Sequence, residues 1–159
     1  MKLFHGSYLI VEAPDVSFSR DNVDFGKGFY TTPVWEQALS WAARFKRKRG
    51  QSVVSVYEID LEGLHKNAPV LTFDTYSKEL LDFIMECRRG KNPGKEYDVV
   101  AGGVANDKVF DTIQLYVDGL IDKTAATNRL RYDNPNMQYC FRNQAVIDKY
   151  LNFLSGEVV

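Results

Sequence analysis

The sequence predicts a single α+β domain that spans residues 1–159. Two kinds of pattern alternate along the chain. Apolar residues at three- and four-residue steps predict helices, and β-branched or strictly alternating segments predict strands. A hydrophobic fraction of 45% and a charged fraction of 26% are typical of one globular domain that buries a substantial core.

The net charge, the cysteines and the lengths of the apolar stretches limit which partners and which cellular location we expect. The net charge is −1, so no global field attracts nucleic acid or an anionic membrane, and any polyanion binding must be local. Cys87 and Cys140 match no metal-ligand spacing, and we expect no metal. No apolar stretch has the length of a signal peptide core or a membrane helix, so we expect a cytoplasmic protein.

Strands are predicted from composition and alternation in several segments, including a short strand or extended segment at residues 69–73 and a buried strand at residues 97–101. Residues 2–8 alternate weakly and carry His5, and residues 52–59 are rich in β-branched side chains. Residues 136–142 alternate cleanly, which places Gln138 on the face opposite Met137. Between the first strand and the next motif, residues 9–22 form a polar connection.

Helical spacing recurs through the rest of the chain. Thr32 is expected to cap the first helix, with Pro33 at its first position. Residues 60–67 are expected to form a loop. Helices are predicted over residues 33–49, 78–89, 123–130 and 143–154. A further helix, capped by Asn106 or Asp107, is predicted to place apolar residues between 109 and 117 against the core.

The stretch from residue 24 to residue 41 is the most unusual. Gly26 and Gly28 precede the aromatic pair Phe29 and Tyr30, just before the first helix. Glycines there allow a tight turn and a close approach to a flat ligand. A strand end, a turn and a helix start explain the same residues, and composition alone favours that interpretation.

In combination with His5-Gly6-Ser7 near the N-terminus, this stretch resembles the NAD-binding core of ADP-ribosyltransferases. The similarity is to the diphtheria-toxin and poly(ADP-ribose) polymerase branch, which has a His-Gly-Ser/Thr strand and a Phe-Gly-x-Gly-x-Tyr strand. The whole chain also looks like a small bacterial domain family of unknown function within that superfamily. The resemblance implies a split pair of mostly antiparallel sheets flanked by helices, with NAD in the cleft between them.

The resemblance implies an activity and partners as well. The expected enzyme is a mono-ADP-ribosyltransferase that uses NAD as a substrate and modifies a protein or a nucleic acid. Families of this kind include bacterial toxins that a small antitoxin protein neutralises. A catalytically weak module that binds NAD or ADP-ribose is an alternative, and an RNA 2′-phosphotransferase-like enzyme is another.

Site residues follow from the same resemblance. His5 would bind the adenosine ribose hydroxyls with help from Ser7, and the backbone of Gly6 would bind the nicotinamide carboxamide. Tyr30, next to Phe29, would stack on the nicotinamide ring, and Gly28 would let that backbone approach. Trp41 on the first helix would cover the nicotinamide ring opposite Tyr30, although a partly buried helix aromatic explains it equally well. Arg20 would supply a cation near the adenosine and pyrophosphate end of NAD, although it is equally well explained as a solvated loop charge.

The third catalytic position departs from the family pattern. The polymerase branch has a glutamate on a late strand, and the resembling position here is Gln138. Loss of that charge typically costs on the order of 3 kcal/mol of transition-state stabilisation, so we expect no poly(ADP-ribose) elongation. The alternative for Gln138 is a polar residue on the exposed face of an edge strand.

The first helix ends in a basic run, residues 44–49, ahead of Gly50. Cations at this end complement the helix dipole, and Gly50 suits a left-handed cap. A phosphate or RNA patch is the functional alternative, and the structural explanation is favoured from sequence.

Overall fold

A computed structural model describes residues 1–104, 107–131 and 136–159. Within those residues the chain is α+β, with six α-helices and seven strands in two mostly antiparallel sheets. The predicted α+β class is therefore confirmed. Helices predicted near residues 33–49, 78–89, 109–117 and 123–130 are also found, with small differences at their ends. The predicted cap Asn106 lies outside the described residues.

The first sheet has three antiparallel strands in the order β1–β3–β7. These are β1 (Lys2–Ser7), β3 (Val53–Ile59) and β7 (Leu151–Val158). The second sheet has the order β2–β6–β5–β4, and only its β4–β5 pair is parallel. Its strands are β2 (Phe29–Thr31), β4 (Val70–Thr72), β5 (Val99–Gly103) and β6 (Met137–Phe141).

Four of the helices described pack on the outer faces of the sheets, and two contribute buried residues to the core between the sheets. The helices are α1 (Trp35–Arg49), α2 (Leu61–Asn67), α3 (Lys78–Arg88), α4 (Asp107–Val117), α5 (Lys123–Leu130) and α6 (Gln144–Tyr150), and a short 3₁₀ helix spans Val16–Phe18. α1 packs on β1 through Ala38 and Ala42, which are fully buried. Small side chains there let the helix approach the sheet closely.

Two larger cores lie on opposite faces of the second sheet. One fills the space between the two sheets and includes Leu3 and Tyr57 from the first and Phe29 and Phe141 from the second. The other packs α3, α4 and α5 against the outer face of the second sheet. Alternate residues of β6 divide between these cores, since Phe141 belongs to the first and Cys140 to the second.

Two predicted elements were wrong. Residues 60–67, expected to be a loop, contain α2, which Asp60 caps by accepting a hydrogen bond from Gly63 N–H at 3.0 Å. Residues 143–154, expected to be one helix, are helical only to Tyr150, and β7 follows at once. The pairing of β7 with β3 gives the residues from Leu151 to Val158 a strand conformation that their local pattern does not predict.

The predicted cap of the first helix was also wrong. The N-cap is Val34, and the helix begins at Trp35. Thr32 is buried, and its hydroxyl accepts from Val34 N–H at 3.2 Å and donates to the Met137 carbonyl at 2.9 Å. Thr32 therefore ties the helix start to β6 instead of capping the helix.

Candidate functional site

The two sheets meet at one short seam between β1 and β2. A single antiparallel bridge joins Phe4 to Thr32, with hydrogen bonds of 2.8 and 2.9 Å. Residues two apart on a strand direct their backbone groups to the same edge, so the next rung of this ladder would join Gly6 to Tyr30. That rung is not formed. Instead, His5 Nδ1 lies 2.7 Å from the Tyr30 carbonyl oxygen.

The missing rung leaves hydrogen-bonding groups in the seam. In the register set by Phe4 and Thr32, the N–H and C=O of Gly6 and the N–H of Tyr30 face the seam, and no backbone hydrogen bond outside the strand ladders joins them to a described residue. Backbone groups at such a depth normally have a partner. The seam is therefore a place where a planar amide could complete the interrupted ladder.

His5 is held in a defined tautomer. A carbonyl oxygen only accepts hydrogen bonds, so Nδ1 carries the proton and Nε2 has a free lone pair. Burial lowers the pKa of His5, and the bond to the Tyr30 carbonyl opposes this only in part. The ring packs on Phe29, with centroids 4.4 Å apart and planes at 34°. A neutral imidazole with Nε2 as acceptor suits a hydroxyl donor.

Gly6 lies directly against α1. A Cβ at this position would lie 2.7 Å from the Ala42 nitrogen and 2.9 Å from Trp41 Cβ, and closer still to the Ala38 carbonyl oxygen. Only glycine allows this approach. It places Trp41, which is partly exposed and belongs to none of the described core clusters, beside the open backbone of Gly6.

Tyr30 has a fixed side chain. Its hydroxyl accepts from Phe25 N–H at 3.0 Å and donates to the Gly26 carbonyl at 2.7 Å. Burial, more than any other cause, raises its pKa well above the usual value, so the phenol remains neutral. The ring is partly buried and contacts the outer core of the second sheet.

The loop before β2 is tied to its neighbours. Gly28 N–H donates to Ser19 Oγ at 2.7 Å. A Cβ at Gly28 would lie 2.7 Å from the Phe141 carbonyl oxygen and closer still to Cys140 Sγ, so this glycine is needed for packing against β6. Arg20 follows Ser19 and is exposed, with no ion pair to a described acidic residue.

Gln138 lies on an interior strand of the second sheet. β6 runs between β2 and β5, and Gln138 is only 5% exposed, so the alternative of an exposed residue on an edge strand was wrong. Its Nε2 donates a long hydrogen bond of 3.4 Å to the Gly103 carbonyl. Extending the β2–β6 register places Gln138 opposite Thr32, one rung from the pair Tyr30 and Cys140.

These positions show which predicted residues the fold brings together. His5, Gly6, Trp41 and the backbone of Tyr30 lie together at the seam, with Ser7 buried at the end of β1 and Gln138 one rung away across β2. The Tyr30 ring, predicted to stack on nicotinamide, contacts the outer core of the second sheet. Arg20 is linked to this group only through the backbone of its loop.

A cavity of about 610 Å³ lies elsewhere and contains none of the predicted site residues. Its lining includes Lys27, Lys91, Lys95 and Arg142, four cations that were not predicted as a group. Arg142 shares a face of the 136–142 segment with Gln138, but no sequence pattern connects it to distant lysines. Its guanidinium donates to the carbonyls of Pro93 and Gly94 at 3.2 and 2.8 Å and also to Asn92, so it serves mainly to fix the 92–94 turn.

Among the described residues, no cluster of three His, Cys, Asp or Glu side chains could hold a metal ion. No helix in that part of the chain is long and apolar enough to cross a membrane.

One comparison with known proteins finds a family. The model of a family described as protein of unknown function (DUF3990) matches residues 1–153. No curated protein and no solved structure matches the chain.

Proposed function

Since the chain belongs to the family described as protein of unknown function (DUF3990), its activity has to be argued from its own residues, and we propose that it is an NAD-dependent mono-ADP-ribosyltransferase. In this proposal the two sheets form an ADP-ribosyltransferase-like fold, and NAD binds at the seam between them. The interrupted β1–β2 ladder supports it most strongly.

The nicotinamide end of NAD fits the open backbone of the seam. A primary carboxamide has an NH₂ group that can donate to the C=O of Gly6 and a C=O that can accept from the N–H of Gly6. Nicotinamide bound there would lie beside Trp41, whose Cβ approaches Gly6 and whose side chain is partly exposed. A flat aromatic ring next to an indole gains stacking energy without any further charge.

The ribose end fits His5. The bond from Nδ1 to the Tyr30 carbonyl leaves Nε2 as an acceptor for a sugar hydroxyl, and the lowered pKa keeps that lone pair available at neutral pH. Ser7 is buried, and its hydroxyl forms no hydrogen bond to a described residue, so it can assist. In this proposal His5 binds and orients NAD and does not transfer a proton.

The proposed reaction transfers ADP-ribose once. A nucleophile on the acceptor forms a bond to the anomeric carbon of the nicotinamide ribose, and the bond from that carbon to the nicotinamide nitrogen breaks. The electron pair leaves with neutral nicotinamide, and the acceptor loses its proton to solvent. Gln138 can accept from a ribose hydroxyl but brings no negative charge to the cationic transition state, which favours single transfer over chain elongation.

The neutral side chain of Gln138 also supports a second candidate. Its buried amide bonds to the Gly103 carbonyl, so an uncharged group at this position is well accommodated. A protein that binds NAD or ADP-ribose without appreciable catalysis would need no carboxylate there. This module would use the same seam and the same contacts from His5 and Gly6.

The first experiment measures NAD binding by calorimetry with two pairs of matched variants. Trp41→Leu is expected to weaken binding at least tenfold, and Trp35→Leu, six residues earlier on α1, is expected to leave it unchanged because Trp35 packs on Phe4. His5→Ala is compared in the same way with His65→Ala, since His65 is exposed on α2. Equal NAD affinity in all four variants would overturn the proposal.

The second experiment separates the two candidates. Nicotinamide release from NAD is measured with and without cell lysate for wild type and Gln138→Glu. Release that requires lysate, with a labelled macromolecule appearing, supports the transferase. Binding without release by wild type, together with release by Gln138→Glu, supports the binding module.

The last part of the proposal concerns the role of the protein in the cell. We place the enzyme in the cytoplasm as the toxin of a toxin–antitoxin pair, with a small protein as its inhibitor. Induced expression in a bacterial host is expected to arrest growth, and His5→Ala is expected to abolish the arrest at equal protein level. Growth arrest by both proteins would contradict this part.

A further inference from the structure

The C-terminal end of α1 carries a local excess of positive charge. Five of the six residues from 44 to 49 are basic, and all five side chains are exposed. None forms an ion pair with a described acidic residue. Because the whole chain has a net charge of −1, the other 153 residues, with 15 basic and 21 acidic side chains, have a net charge of −6.

The stability of α1 explains only part of the run of basic residues from 44 to 49. Gly50 closes the helix in the left-handed conformation and donates its N–H to the Lys46 carbonyl at 2.9 Å. Cations in the last turn complement the dipole, but the effect fades within one turn, and Arg44 lies before it. Like charges at i and i+4, such as Arg44 and Lys48, are mildly destabilising. No acidic residue occurs between residues 37 and 49 to offset them.

The basic segment is fixed next to the seam. Tyr8, which directly follows the His-Gly-Ser strand, packs on Phe45 with ring centroids 5.6 Å apart. The Arg49 guanidinium lies over the Tyr8 ring at 5.0 Å. Arg44 and Lys48 are three and seven residues after Trp41, so they continue its face of α1 over about 10 Å.

We propose that residues 44–49 bind the phosphate backbone of a single-stranded nucleic acid and direct it to the seam. This inference rests on the proposed function and names its acceptor class as nucleic acid. A strand that follows the Arg44–Lys48 face of α1 reaches Trp41, next to which the anomeric carbon of bound NAD would lie.

A single strand fits better than a duplex or an acidic protein. Bases of a single strand can stack on a partly exposed aromatic side chain, and Trp41 is partly exposed at the seam end of the basic face. Tyr8 and Phe45, which pack on each other below Arg49, add partly exposed apolar surface beside the cations. Bases within a duplex would first have to be flipped out to reach a site between two strands. An acidic protein would use the charges but would gain nothing comparable from the aromatic rings.

The test measures binding of fluorescein-labelled 20-nucleotide single-stranded RNA and single-stranded DNA by anisotropy between 0.05 and 0.5 M salt. The basic variant is Arg44→Gln, Lys46→Gln, Arg47→Gln and Lys48→Gln together, which keeps Arg49 on Tyr8. The control variant is Lys66→Gln, Lys78→Gln, Lys91→Gln and Lys95→Gln together. Both variants remove four positive charges, and circular dichroism verifies that both are folded.

The dependence of strand affinity on salt concentration is expected to differ between the basic and the control variant. Each phosphate contact contributes about 0.7 to the slope of log affinity against log salt, so the basic variant is expected to lose about 2.8 and to bind roughly a hundredfold more weakly near 0.15 M salt. The control variant is expected to lose much less. The strand that binds wild type more tightly, RNA or DNA, identifies the acceptor type.

Two outcomes overturn the inference. One is an equal loss of slope in the basic and control variants, which would mean that only net charge matters. The other is competition by polyglutamate as strong as that by an unlabelled strand of equal charge, which would indicate an acidic protein partner.

NAD binding to the same three proteins separates this inference from the proposed function. The basic variant is expected to bind NAD like wild type, because its substitutions lie beyond the seam. If wild type fails to bind NAD but binds strands with the expected slopes, the transferase proposal fails and the acceptor role fails with it. If NAD binds and the strands do not, the transferase proposal stands and the nucleic-acid surface is refuted.

Discussion

Substitution Gly6→Ala tests the contact on which the seam depends. A Cβ at Gly6 would lie 2.7 Å from the Ala42 nitrogen and closer still to the Ala38 carbonyl oxygen, whereas an ordinary contact needs 3.4 Å. Because of that closer contact, α1 would have to move away by more than about 0.7 Å. The nearest obstructing atoms belong to the helix backbone, which cannot rotate away as a side chain can. Overpacking typically costs about 1–3 kcal/mol, and we expect the upper end, about 3 kcal/mol, because Ala38 and Ala42 are fully buried.

Urea unfolding followed by circular dichroism measures the loss in the free energy of unfolding, and thermal unfolding followed in the same way measures the change in Tm. About 3 kcal/mol corresponds to a decrease in Tm of roughly 6–12 °C for a domain of this size. Gly50→Ala is the control, since a Cβ there meets nothing within 4 Å and the cost comes only from the left-handed backbone at φ 75°. That cost is roughly 1–2 kcal/mol. A loss below 1 kcal/mol for Gly6→Ala would refute the close approach of β1 and α1.

Three further predictions concern buried polar groups. Because burial lowers the pKa of His5, protonation of this residue favours the unfolded chain. The contribution of His5 to the free energy of unfolding should be fully present above pH 6.5 and should decrease as the pH falls below that value. His5→Gln should flatten this part of a pH series of urea unfolding curves. Arg88→Met should destabilise the fold by about 3 kcal/mol, since it leaves the mostly buried Asp24 carboxylate without its partner at 2.7 Å, and adding Asp24→Asn should recover part of the loss in the same assay. Burial raises the pKa of Cys87 to about 11 and that of Cys140 to about 12, so iodoacetamide at pH 8 should label neither thiol in the native protein and both in urea, as read by mass spectrometry.

Local patterns predicted elements whose ends are set by local chemistry. α5 is found at the predicted residues, and Asp122 caps it by accepting from Ala125 N–H at 2.7 Å. The α2 helix carried comparable signals that were not used. Asp60 stands at its cap, and Pro69 follows its last residue by two positions. A cap and a stop signal around a short apolar pattern would have predicted it.

The C-terminal strand could not be predicted from its own residues. Val146, Ile147, Tyr150, Leu151 and Leu154 have helical spacing, and the helix obeys it only to Tyr150. β3 provides the missing information, because nearly all of its residues are buried and a strand of this kind needs neighbours on both sides. β1 supplies one neighbour, and β7 supplies the other through seven paired residues. This pairing between distant segments outweighs the local helical pattern.

The candidate site could likewise be predicted from the sequence only in part. Gly28 was predicted to let the backbone approach a ligand, and Gly6 was predicted to present its backbone groups to one. The structure instead shows both glycines in close contact with neighbouring parts of the protein, which the sequence did not predict. The sequence could not show that the ladder between β1 and β2 stops after one rung, because that depends on how two sheets diverge. It also could not show that His5 would take the Tyr30 carbonyl in place of the next rung.

Gln138 is the residue on which the choice between transferase and binding module depends, and its surroundings favour an amide over a carboxylate. Its Nε2 faces the Gly103 carbonyl, so the amide oxygen must point the other way and makes no hydrogen bond to a described residue. A glutamate in this 5% exposed position would place an acceptor against an acceptor, and its charged form would lose most of its hydration. Gln138→Glu should therefore be less stable than wild type in the absence of NAD. If NAD contributes a ribose hydroxyl at this position, NAD should restore more stability to Gln138→Glu than to wild type, because a carboxylate accepts from a hydroxyl more strongly than an amide does. Equal stabilisation of both proteins by NAD would place the ligand away from Gln138 and remove this residue from the proposed catalytic group.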